Sequence, residues 1–180
     1  MGLNAVALLW GFAEATLFFI VPDVWLSVVA VWRGRRAALL AAGWAVGGAI
    51  VGGALMHIWG ASRPDAAVAA LDRLPAISAA MIAGVHADLE GKGAAAMIIG
   101  SLTGVPYKIY AVLAPGAGLQ LPLFLLISVP ARAIRFVVVV LVADRLNEAL
   151  ARRLALRRRY GVLGIVWLVF YGFYFAIMAN

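Results

Sequence analysis

The feature that limits this chain most is residues 37–60, AALLAAGWAVGGAIVGGALMHIWG, which carry no formal charge. A helix of that length rises about 36 Å, enough to cross the ~30 Å hydrocarbon core of a bilayer. Residues 161–179 form a second uncharged span. The whole chain of 180 residues is 66% hydrophobic and 13% charged, whereas soluble domains are nearer half apolar and a quarter charged. These observations predict a single all-α integral membrane domain. The chain has no cysteine, which removes disulfides and thiolate metal sites. No signal peptide is expected, because MGLN lacks a basic start and Glu14 interrupts the apolar run.

Two further apolar blocks are broken. Residues 1–32 carry Glu14, Pro22 and Asp23, and a helix reaching Ile20 is expected to stop or kink at Pro22. In 94–119 the run TGVPYK sets Gly104, Pro106 and Lys108 between two apolar arms, 94–102 and 109–119. Each arm makes about 15 Å of helix, half a bilayer. Both blocks therefore read as re-entrant hairpins, which are permitted where the broken backbone faces protein or water. A kinked full span is the plainer alternative.

Positive charge orients the rest. Arg33, Arg35 and Arg36, with Arg145, Arg152, Arg153, Arg157, Arg158 and Arg159, mark two cytoplasmic segments. The segment 61–92 is nearly balanced in charge and reads as external interfacial helices. The expected layout is hairpin 1–32, span 37–60, external 61–92, hairpin 94–119, span 121–142, a basic cytoplasmic helix 143–160, and span 161–179. That order is an inverted repeat of hairpin plus span, with a C-terminal helix added. The formal net charge of +7 is assigned to anionic headgroups rather than nucleic acid, since no nucleic-acid reader motif accompanies it.

Five charges fall inside apolar blocks: Glu14, Asp23, Lys108, Arg132 and Arg135. Bare in lipid they would cost roughly 13–17 kcal/mol together. They must pair, face a wet cavity, or lie near an interface. Arg132 and Arg135 are three apart and share a helix face, where the two acids of the first hairpin could meet them. Bland readings stand beside this one. Asp23 could cap the helix that follows. Lys108 could snorkel to an interface. The arginines could be structural partners only. Gly43/Gly47 and Gly48/Gly52 are spaced for close helix packing, and His57 reads as an interfacial hydrogen-bond donor. No nucleophile–base set, metal cluster or cofactor motif is present, so neither an enzyme nor a cofactor is expected.

With Glu14, Phe18, Pro22 and Asp23, then GAIVGGALMHIWG, then GSLTGVPYKIYAVLAPGAGL followed by PARAIRF, the chain resembles the DedA/VTT superfamily of SNARE-associated-type membrane proteins. The likeness is to its short, YqaA-like branch and covers roughly residues 11–140. It departs where Gly53 stands in place of a common Asp and His57 in place of a common Tyr. The resemblance implies two re-entrant hairpins meeting in an inverted repeat. It also implies a bacterial inner-membrane flippase or scramblase of phospholipid or polyprenyl-phosphate carrier, often proton-linked.

On that reading Glu14 and Asp23 exchange protons, and Arg132, Arg135 and Lys108 bind the lipid phosphate. Pro22, Gly104 and Pro106 are the hairpin breaks, and the partners are membrane lipids and protons, with a homo-oligomer left open. Two alternatives are a proton-coupled small-ion or solute transporter and a non-transporting membrane assembly protein.

Overall fold

The computed structural model describes residues 2–75 and 77–178, and among them there are nine helices and no strand. In order they are α1 (Leu3–Ala15), α2 (Asp23–Arg33), α3 (Arg35–Ser62), α4 (Pro64–Asp72), α5 (Ala79–Lys92), α6 (Ala95–Thr103), α7 (Tyr107–Leu113), α8 (Leu121–Ala151) and α9 (Leu156–Met178). Three are long and apolar enough to cross a membrane: α3, α8 and Leu156–Ala176 of α9. The last residue of the expected span 161–179 lies outside the described residues.

Both interrupted blocks form a helix, a break and a second helix. The first break comes earlier than its proline. The chain leaves α1 at Ala15, and α2 begins only after Pro22. The cause is Thr16, whose hydroxyl donates to the Phe12 and Ala13 carbonyls while the Phe18 amide folds back onto Ala13. The second break is made by Gly104 at φ 91°, a left-handed conformation that suits glycine. The Val105 amide then donates 3.0 Å back to the Gly100 carbonyl, closing α6 as a Schellman turn. Pro106, without an amide hydrogen, starts α7.

The expected separate basic helix over 143–160 does not form. Residues 143–151 contain no breaker, Asp144 turns inward to Arg35 at 4.0 Å, and α8 continues unbroken to Ala151. Arg152 and Arg153 sit in the turn that follows, and Arg157–Arg159 lie on the first turns of α9. The Arg35–Asp144 contact brings both arginine clusters to one end of the molecule.

Packing is set by α3. A methyl at Gly48 would run into the Leu8 carbonyl, and one at Gly52 would lie 2.7 Å from the Phe12 carbonyl oxygen. Removing side chains there lets α1 press on α3 backbone to backbone. Gly43 and Gly47, expected to pack in the same way, face open space. Two apolar cores result. One gathers the second half of α3 with α4–α7 and Phe124 of α8. The other gathers α1, α2 and the first half of α3 with Phe136 and Val140 of α8. Arg132 falls on α8 between Phe124 and Phe136, at the seam.

Candidate functional site: a buried charge cluster where two helix breaks meet

Broken backbone needs partners wherever water is scarce, and side chains from three elements supply them in the first break. Trp10 of α1 donates its indole N–H to the Ile20 carbonyl at 2.9 Å. The Val21 amide donates to the Tyr171 hydroxyl of α9, also at 2.9 Å. Lys108, at the start of α7, donates its ammonium to the Phe18 carbonyl at 2.5 Å. A residue beside the second break thus holds the backbone of the first.

Near this contact the charges pair across the seam. Arg132 Nη2 donates to Glu14 Oε2, with both side chains almost fully buried at 1% and 4% exposure. Its guanidinium also lies 5.0 Å from the Tyr107 ring centre and 4.8 Å from that of Phe136, within cation–π range. One turn further along α8, Arg135 donates from Nε at 2.9 Å and Nη2 at 2.7 Å, both to Asp23 Oδ2. Asp23 Oδ1 and Arg132 Nε have no partner among the described residues. Lys108 is buried and has no carboxylate within ion-pair distance among them. Three cations against two acids leave one positive charge in the cluster.

The site residues named from sequence are therefore brought together. Glu14 and Asp23 reach Arg132 and Arg135, Lys108 joins them, and Gly104 and Pro106 help wall the adjoining space. Asp23 is not a helix cap: it is the first residue of α2, behind Pro22 at the cap position, and its side chain makes no capping bond. Lys108 does not snorkel, since its ammonium is turned inward to Phe18. His57 is hydrogen-bonded to the Leu119 carbonyl at 2.9 Å and is buried among protein groups.

Other participants carry no charge and gave no signal in sequence. Tyr107 fills the space left by Gly53 and donates 2.7 Å to Ser128, which in turn donates 2.7 Å to the Phe124 carbonyl. Ser101 donates 2.8 Å to the Ala131 carbonyl, tying α6 to α8. From α9, Trp167 donates 3.0 Å to Ser27.

Two cavities adjoin the cluster. One of about 170 Å³ is lined by Glu14, Lys108, Arg135, Gly104 and Pro106 together with Phe170, Tyr171 and Tyr174 of α9. A second of about 420 Å³ lies across Arg135. Among the described residues no group of three His, Asp or Glu side chains could hold a metal ion. Chemically the arrangement offers a planar fork and a point charge for an anion, with two carboxylates able to release or reclaim them. Comparison with protein families, characterised proteins and solved structures finds no match to this chain.

Proposed function

We propose that this chain is a multi-pass protein of the bacterial inner membrane that moves lipid across the bilayer, in the manner implied by its resemblance to the DedA/VTT superfamily. The observation that carries the reading is Lys108 of the second break held by the Phe18 carbonyl of the first, on a cavity that Glu14 and Arg135 of the two acid–arginine pairs also line. The ends of α1 and α6 beside the two breaks meet α8 at Ala131 and Arg132, central to its apolar stretch 121–142, through Glu14–Arg132 on one side and Ser101–Ala131 on the other. This supports two re-entrant hairpins whose tips meet near the bilayer midplane, each followed by a span of opposite direction. The N-terminal hairpin would enter from the arginine-rich, cytoplasmic end and the second from outside.

In this account a lipid phosphate enters beside α9 and is held by Lys108 and Arg135. Its acyl chains stay in the bilayer, along the exposed apolar face of α9. Protonation of Glu14 releases Arg132 to the phosphate, and loss of that proton restores the pair and expels the anion. Asp23 acts on Arg135 in the same way. Competition between a carboxylate and a phosphate for one guanidinium is thus the proposed coupling of protons to lipid.

The test is reconstitution. Liposomes holding the protein should move labelled phospholipid or polyprenyl phosphate faster than empty vesicles, and equal rates overturn the proposal. Proton-linked current without lipid turnover would instead favour an ion transporter.

A second reading has its own support. Each buried acid is already paired, and Lys108 satisfies a backbone carbonyl, so the cluster could serve the fold alone in an assembly protein. Exchanging Glu14 and Arg132 should then keep function, whereas a phosphate site is lost by the swap.

A further inference from the structure

The larger cavity is unused by the phosphate path just described. It is walled by Asp23, Ser101, Thr103, Val139, Trp167 and Phe170, and shares Thr103, Gly104, Arg135 and Phe170 with the smaller one. Its volume of about 420 Å³ is that of an ordinary small-ligand pocket. Asp23 is 2% exposed, and both bonds from Arg135 fall on Oδ2, leaving Oδ1 without a donor. A buried carboxylate oxygen with no partner is costly, and a ligand that brings a donor recovers that cost. The hydroxyls of Ser101 and Thr103 spend their hydrogens on the Ala131 and Gly100 carbonyls, so their oxygens remain able to accept. Apart from Arg135, the polar side chains of this largely apolar chamber ask for donors.

We propose that the two cavities form one bipartite site. The smaller takes a phosphodiester against Lys108 and Arg135, and the larger takes a hydroxyl-bearing headgroup that donates to Asp23 Oδ1. This inference rests on the lipid-phosphate reading of the cluster and narrows its substrate.

Charge selects the class. With all five groups ionised the cluster carries one excess positive charge, and uncompensated charge is what a low-dielectric site tolerates least. A diester with a polyol headgroup brings one negative charge and closes the sum at zero. A diester ending in an ammonium brings none, leaves the excess in place, and sets a new cation beside Arg135. A choline headgroup has no hydrogen to donate to Asp23. A phosphate monoester ionised twice carries about two negative charges, overshoots the sum, and has no hydroxyl left to donate.

The experiment compares labelled phosphatidylglycerol, phosphatidylethanolamine, phosphatidylcholine and a polyprenyl monophosphate in liposomes containing the unaltered protein. Phosphatidylglycerol should move about tenfold faster than phosphatidylcholine, the worth of one hydrogen bond to a charged acceptor. Val139→Phe, which fills the larger cavity, should reduce that ratio to about twofold or less. Equal movement of all four overturns the headgroup site and leaves lipid translocation standing. Preference for the ammonium headgroup or the monoester overturns the charge argument. No movement of any lipid overturns the translocation reading itself.

Discussion

Replacing Glu14 by Leu should unfold this protein more readily than replacing Glu14 and Arg132 together. The pair is buried on both sides, at 1% and 4% side-chain exposure. Arg132 Nε already lacks a partner among the described residues. Removing the carboxylate leaves the guanidinium with only the Tyr107 and Phe136 rings, each worth about 0.5–2 kcal/mol. The loss of one member of a buried pair costs about 3–5 kcal/mol, because the remaining charge stays desolvated. Converting both members, as in Glu14→Leu with Arg132→Met, removes the stranded charge and is neutral or stabilising by roughly 1–4 kcal/mol in comparable cases.

Glu14→Gln separates the contributions, since it keeps an acceptor for Arg132 Nη2 and removes only the charge. Its cost should fall between the wild type and Glu14→Leu. Unfolding in mixed micelles, followed by tryptophan fluorescence and circular dichroism, measures these four proteins and the single variant Arg132→Met. The reasoning is refuted if Glu14→Leu lies within about 1 kcal/mol of the wild type, well below the expected penalty. It is refuted equally if the double variant is as unstable as the sum of its single changes.

The glycines of α3 divide sharply. Gly48→Ala should destabilise by about 1–3 kcal/mol because the Leu8 backbone blocks the methyl, while Gly47→Ala should gain up to about 1 kcal/mol on the same unfolding curve. Tyr171→Phe strips the Val21 amide of its acceptor, at about 1–3 kcal/mol, and should speed hydrogen exchange across residues 16–22 without altering α3. Lys108→Met removes the cation that has no carboxylate partner, and should slow movement of anionic lipid about tenfold by losing one charged hydrogen bond to phosphate.

Much of this architecture was legible because each signal was chemical. Uncharged runs marked α3 and α9, Gly104 and Pro106 marked the second break, and the cost of bare charge made a meeting of Glu14 and Asp23 with Arg132 and Arg135 one of the few arrangements open to them. What escaped had no local signature. Leu17, Phe18 and Phe19 are as apolar as the helix before them, so only the Thr16 hydroxyl reveals that α1 ends at Ala15. The run of α8 to Ala151 brings Asp144 to within 4.0 Å of Arg35 across the fold, a contact with no local signature. Tyr171 sits in an uncharged span, where nothing in the sequence ties it to an amide at Val21. Gly43 and Gly47 carry the same spacing as Gly48 and Gly52, and only helix rotation decides which pair is covered.

The central claim is that the cluster under the two breaks handles a lipid phosphate and does more than hold the fold. The most direct test is dithionite quenching of fluorescent phospholipid in proteoliposomes, comparing the wild type with the Glu14→Leu/Arg132→Met double variant. That variant should be folded, because its pair is removed together. The account predicts that the wild type exposes inner-leaflet lipid far faster than empty vesicles, while the folded double variant falls back to the empty-vesicle rate. A folded double variant that moves lipid as fast as the wild type would contradict it.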